Sequence, residues 1–174
     1  MGESGIESAF QFLSYKIDTF HLEVTKDTKS LAHNAVLDSS QVQMSLTIRN
    51  PIHIAADNTY VGGMDIQFSL FFSADRSESN RLAVGSAGIS GYFRIVGNSL
   101  SKEAEESLVR LQIPALLLPY LRPAVTSLLI NAGFPGVIFP LINVHALATE
   151  AGSKIRIQEA TPASPAADSI PSTT

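Results

Sequence analysis

The chain has 174 residues, 45% of them apolar and only 16% charged, with a net charge of -4, a pI near 5.5 and no cysteine. That length gives one domain of about 150 residues plus a tail. The acidic balance, with no run of Lys or Arg, argues against nucleic-acid binding, and the lack of Cys excludes a disulfide framework or a thiolate metal cage.

The charged share lies well under the roughly 25% of an average globular protein, so the chain carries more apolar surface than an isolated domain of this size hides. Self-association or a binding partner should cover the excess. The amino terminus, MGESGIESAF, lacks the apolar run of a secretory leader, and Ile6 breaks the myristoylation pattern that Gly2 opens. These features fit a cytoplasmic protein with a flexible segment at residues 1–9.

The first two thirds alternate in period two. Phe10 to Val24 runs through Tyr15 and Ile17 and then resumes in the opposite phase at Phe20, Leu22 and Val24, which predicts a strand with a bulge near Asp18. Val42, Met44, Leu46 and Ile48 alternate with polar residues as a half-buried strand, after which Asn50-Pro51 loosens the pattern. The turn signal AADN leads into a third strand with Met64, Ile66, Phe68, Leu70 and Phe72 on one face and Phe71 on the other. A fourth, RLAVGSAGISGYFRIVG, is small or apolar on both faces. Its Gly85, Gly88 and Gly91 read either as bulges or as a close approach by another backbone or subunit.

The period then changes. Ser99 or Ser101 can cap a helix whose first turns carry Glu103, Glu105 and Glu106, favourable at the positive end of the helix dipole. Pro114 should stop it, and a second helix over 115–131 should follow, kinked by Pro119 and Pro123 and closed by Asn131 and Gly133. Pro114 to Leu147 holds five of the nine prolines, 21 apolar residues and no acid. A membrane span over Pro123–Ile142 is disfavoured by its prolines, glycines and polar residues. FPGVIFPLINVHAL, from Phe134 onward, should lie extended over apolar surface as a crossover into a short final helix. The Pro/Ser/Ala-rich end, residues 153–174, reads as a disordered tail, which leaves 10–152 as the single domain.

Sites for chemistry are wanting. His21, His33, His53 and His145 show no metal-ligand spacing, there is no G-x-S-x-G elbow, and GSAGISG precedes neither a Lys nor a helix as a phosphate loop would. The sequence therefore predicts no enzyme, no metal and no cofactor.

The order of elements and the run Pro114, Pro119-Tyr120, Arg122, Thr126-Ser127, Gly133-Phe134-Pro135, Asn143 and Ala146-Leu147 resemble the SecB family of protein-export chaperones. Phe93, Ile95, Gly97 and Phe10-Gln11 extend the likeness to about residues 10–150. The resemblance implies an α+β fold: a four-stranded antiparallel sheet, a long helix, the apolar crossover and a short final helix. It also implies a homotetramer, a dimer of dimers, holding unfolded or precursor polypeptides for translocation and export without nucleotide, and passing them to the motor SecA.

Carried onto this chain, the client groove would use Leu116, Leu117, Tyr120, Leu121, Phe134, Val137, Ile138, Phe139 and Leu141. Subunit contacts would use Gly85, Gly88, Gly91, Leu128 and Leu129, and SecA would meet Asp18 and Glu23. Ser86 stands where the family carries an acid. That departure suits a chaperone dedicated to one client, such as an antitoxin. An apolar small-molecule or lipid carrier, with the crossover as a lid, is the rival reading.

Overall fold

The computed structural model describes residues 9–25, 37, 39–97, 100–137, 142–152 and 154–160. The strands are β1 (Phe10–Val24), β2 (Val42–Ile48), β3 (Ile52–Ile54), β4 (Thr59–Phe71), β5 (Arg81–Ile95) and β6 (Gln158–Glu159), and the helices α1 (Lys102–Asn131) and α2 (Val144–Gly152). Six strands replace the expected four, in the order β1-β5-β4-β3-β6, with β2 also paired to β4. All pairings are antiparallel except β3 with β6.

The two additional strands are short and lie where the alternation is brief. β3 follows Pro51, and β6 falls in the stretch read as tail. There Ile155 is buried, Gln158 donates its backbone N–H to the Pro51 carbonyl at 2.8 Å, and Ala160 donates to His53 at 2.8 Å. Residues 154–160 are therefore part of the fold, anchored by an isoleucine that a solvated tail would not bury.

β2 and β4 follow the alternation closely. Val42, Met44, Leu46 and Ile48 pair with Leu70, Phe68, Ile66 and Met64, which puts both apolar sets on one side of the sheet. The far end of β4 departs from expectation: a register irregularity between Leu70 and Phe71 turns Phe71 inward at 3% exposure and leaves Phe72 outside at 56%.

α1 is one helix of 30 residues, not two, with Pro114, Pro119 and Pro123 inside it. Each proline removes one i to i-4 hydrogen bond and in a helix interior costs about 3 kcal/mol. Two facts offset this. Pro119 and Pro123 lie on the solvent side, where water can satisfy the freed carbonyls, and Val109, Ile113, Leu117, Leu121, Val125 and Leu129 form a row at four-residue spacing, each at most 1% exposed. Burying such side chains stabilises by ~1.5–3 kcal/mol each.

The helix ends behave as the sequence foretold. Ser101 caps the start, its hydroxyl accepting from the Ala104 N–H at 3.3 Å. At the other end Gly133 takes φ +90°, Phe134 N–H bonds to the Leu129 carbonyl at 2.8 Å and Gly133 N–H to Ile130 at 3.1 Å. This 6→1 and 5→2 pair is a Schellman closure, and the buried side chains of Phe134 and Leu129 supply its apolar contact.

α1 crosses the sheet from β4 to β1. Tyr60 on β4 donates its hydroxyl to the Glu105 carboxylate at the start of the helix. A Cβ on Gly62 would meet Ile113 at 2.6 Å, and one on Gly91 would meet Leu117 at 2.7 Å. Gly62 and Gly91 are direct cross-strand partners, so together they form the trough into which the helix packs. Farther along, Tyr120 meets Tyr15 of β1 with ring centroids 4.4 Å apart. By length and composition α1 could span a bilayer, but its buried row is spent on the sheet as in a core helix.

Candidate functional site

β1 is the edge of the sheet, and two bulges set which way its side chains point. Register shifts fall between Phe12 and Ser14 and between Ile17 and Thr19, so Leu13 and Asp18 are supernumerary. The bulge at Asp18 is the one the change of phase predicts; the one at Leu13 has no such signal. With both in place Phe12, Tyr15, Ile17, Phe20, Leu22 and Val24 lie opposite Phe93, Gly91, Ile89, Ala87, Gly85 and Ala83, all on the helix side of the sheet.

α1 covers only the beginning of that face. Tyr15, Ile17, Phe20 and Val24 remain 45%, 36%, 48% and 42% exposed, an apolar shelf along an edge strand of 15 residues. Its inner end is an aromatic wall: Phe12 packs at a tilt against Phe93 at 5.3 Å and Tyr120 at 5.4 Å between ring centroids, and Tyr120, 39% exposed, closes over Tyr15. Among the described residues no strand pairs with the outer edge of β1. An extended peptide could add there as a strand, through main-chain hydrogen bonds and alternate side chains on the shelf.

The residues named from the family likeness distribute differently. Leu117, Leu121, Phe134 and Val137 are core residues, at 0%, 0%, 3% and 5% exposure, because the helix row and the Schellman closure turn them inward. Leu116 is partly buried and Tyr120 stands at the shelf; Ile138, Phe139 and Leu141 lie outside the described residues. Gly85, Gly88 and Gly91 are filled from within the chain, by Phe68, by Asp65 with Thr19, and by Leu117 with Phe93, so intramolecular packing accounts for their lack of side chains. Leu129 is likewise core, and Leu128 is partly buried.

Asp18 is engaged on the opposite, polar face. Its carboxylate accepts from Arg49 at 2.8 Å and from the Ser90 hydroxyl, and Lys16 lies 3.5 Å away. Burial raises its pKa, but the hydrogen bonds from Ser90 and Arg49 and the charges of Arg49 and Lys16 outweigh burial and hold it below the usual carboxylate range. Glu23, opposite Val84 on the same face, is exposed.

Open clefts among the described residues include two with charged side chains in their walls. One, of about 510 Å³, is lined by His53, Tyr60, Lys102, Glu105, Glu106 and Glu159 among others. His53 bonds Glu159 at 3.0 Å and Asn58 at 3.1 Å and stacks on Tyr60. Burial and the neighbouring Glu105 push the Tyr60 phenol well up, so it stays protonated and serves as a pin between β4 and α1. The other, about 390 Å³, lies between β2, α2 and Ile155 and carries Glu150 and Lys154. Among the described residues no three His, Asp or Glu side chains gather closely enough to hold a metal.

The architecture, a mostly antiparallel sheet crossed by one long helix with a short helix after it, is a SecB-like α+β fold. It is similar to a SecB-like chaperone of Mycobacterium tuberculosis solved in complex with a peptide from an antitoxin, with TM-score 0.54 and 12% identity, over 77% of this chain and 91% of that one. A protein of unknown function from Streptococcus agalactiae aligns with TM-score 0.36 and 15% identity, over 76% of this chain and 97% of that one. No family model and no curated protein sequence matches the chain.

Proposed function

We propose that this protein is an ATP-independent chaperone, a holdase, that binds unfolded or precursor polypeptides along β1 and keeps them competent for export. The observation that carries the reading is the shelf of Tyr15, Ile17, Phe20 and Val24 on an edge strand whose outer side pairs with no described strand. Covering the exposed half of four such side chains is worth ~3–6 kcal/mol, and each edge hydrogen bond adds ~1 kcal/mol. Association costs of ~4 kcal/mol or more leave each shelf weak by itself. Several shelves in a homotetramer, wrapped by one long client, would retain it far more tightly.

The job needs no catalytic residue, metal or cofactor. In the proposed setting the protein works in the cytoplasm and hands its client to SecA, for which Glu23 is the open acidic contact, since Asp18 is occupied by Arg49. A dedicated antitoxin client is the second reading, favoured by the peptide seen on the mycobacterial neighbour. The carrier reading is the weaker one, because the clefts described above are open and bear charged side chains.

The test is aggregation suppression. Purified protein should keep a chemically denatured, slow-folding client soluble without ATP, and Phe20→Asp should abolish this while the oligomer survives on a sizing column. Absence of protection against several clients sinks the proposal. Co-migration with SecA separates general export from a dedicated role.

A further inference from the structure

The shelf raises a question of register. A strand's phase is normally held by burial of one face, because a slip of one residue exchanges the faces. Burial restrains the outer half of β1 only weakly, since Leu22 packs against the core but Phe20 and Val24 are half-exposed in the native pairing. Without the bulge at Asp18, straight pairing beyond Ile17 would set Asp18 opposite Gly88, Thr19 opposite Ala87, His21 opposite Gly85 and Glu23 opposite Ala83. The shelf would then present Thr, His and Glu.

Apolar burial favours the bulge only in part, and the polar face adds a second restraint. Arg49 continues beyond β2, its backbone N–H bonded to the Gly63 carbonyl at 2.9 Å, and its guanidinium reaches over β4 to β5. It donates to the Ile89 carbonyl at 2.8 Å and the Ser90 hydroxyl at 3.1 Å, and pairs with Asp65 at 3.1 Å. Gly63 makes the seat, since a Cβ there would come within 2.7 Å of the Arg49 Cζ. From this fixed cation a 2.8 Å bond reaches Asp18, the very residue that is supernumerary in β1.

We propose that the Asp18 carboxylate, bonded at once to Arg49 and Ser90, is a register lock: straight pairing would set it opposite Gly88, still beside Arg49 but two residues from Ser90, so the joint contact holds the bulge in β1 and the shelf presents Phe20 and Val24 and not Thr19, His21 and Glu23. Asp18 and Arg49 are thus positioning residues for the binding surface, acting from the opposite side of the sheet. The functional consequence rests on the reading of the shelf as the client site. The structural consequence does not.

The experiment uses the full chain, with nuclear Overhauser contacts between β1 and β5 to read register and a fluorescein-labelled, reduced and carboxymethylated unfolded protein to read binding. Asp18→Val and Arg49→Met should replace the Phe20–Ala87 contact by Thr19–Ala87 and weaken client binding at least tenfold. Deleting residue 18 from the Asp18→Val chain removes the supernumerary residue, needs no bulge, and should restore both readouts. Should Asp18→Val fail to fold, Asp18→Asn, which keeps the shape and removes the charge, carries the same expectation. Native register in both substitutions overturns the lock, as does a deletion that fails to restore the Phe20–Ala87 contact. Wild-type protein that binds no client refutes the shelf, while the register contacts still decide the lock.

Discussion

Leu117 and Tyr120 stand three residues apart on α1, and the structure gives them different work. Leu117 is 0% exposed, with a Cδ that would lie 2.7 Å from a Cβ on Gly91, whereas Tyr120 is 39% exposed at the shelf. Because residue 91 is glycine, no side chain there can relax into the space that Leu117→Ala would open. The site therefore belongs with the poorly collapsing cases of large-to-small core substitution, which cost ~3–5 kcal/mol. For a domain of this size that is a fall in Tm of ~6–20 °C, at 2–4 °C per kcal/mol.

Tyr120→Ala leaves a hole open to solvent and should cost under ~1.5 kcal/mol, mostly its ring contacts with Phe12 and Tyr15. It should weaken client binding in return. The assay is urea unfolding at fixed protein concentration, which matters for an oligomer, alongside titration of a labelled unfolded client. A Leu117→Ala midpoint within ~0.5 kcal/mol of wild type, with client binding lost, would refute the division of core from shelf.

Ile17→Asp, on the exposed face, should reduce client binding by at least tenfold while shifting the urea midpoint by less than ~1 kcal/mol, since little apolar area is withdrawn from the core. Gly91→Val drives a side chain against Leu117 and Phe93 and should destabilise by ~1–3 kcal/mol in the same urea assay. Gly133→Ala, at φ +90°, should cost ~1 kcal/mol in thermal unfolding by straining the helix closure. The Asp18 carboxyl titrates below its unfolded value of about 3.9, so its stabilisation is present above that pH and lost as pH falls through the folded value. The gap in urea midpoint between wild type and Asp18→Asn should accordingly be constant above about pH 5 and shrink below about pH 4; a gap unchanged at pH 3 would contradict the ion pair with Arg49.

Much of the fold was legible because it is written in local periods. The alternation over Val42–Ile48, the change of phase near Asp18, the Ser101 cap and the Gly133 closure each depend on a few adjacent residues. β6 had a weaker signal of the same kind, Ile155 and Ile157 alternating with Arg156 and Gln158, masked by the Pro- and Ser-rich residues after it. The unity of α1 was not legible, since Pro114 stops a helix by local rules and only packing against the sheet carries the helix through.

The candidate shelf on β1 was not legible in the sequence. Composition alone required apolar surface beyond what one core hides, and the family likeness directed it to the Pro-rich run. Which apolar residues stay exposed depends on where α1 crosses the sheet, and that is set by Gly62 and Gly91 meeting across β4 and β5, a contact between residues 29 apart in sequence. The sequence by itself determined the elements, their apolar faces and the excess of apolar surface, because these follow from neighbours along the chain. Only the tertiary structure decided that Leu117, Leu121 and Phe134 are spent on the core while Tyr15, Ile17, Phe20 and Val24 remain open, because one helix covers only part of the sheet it crosses.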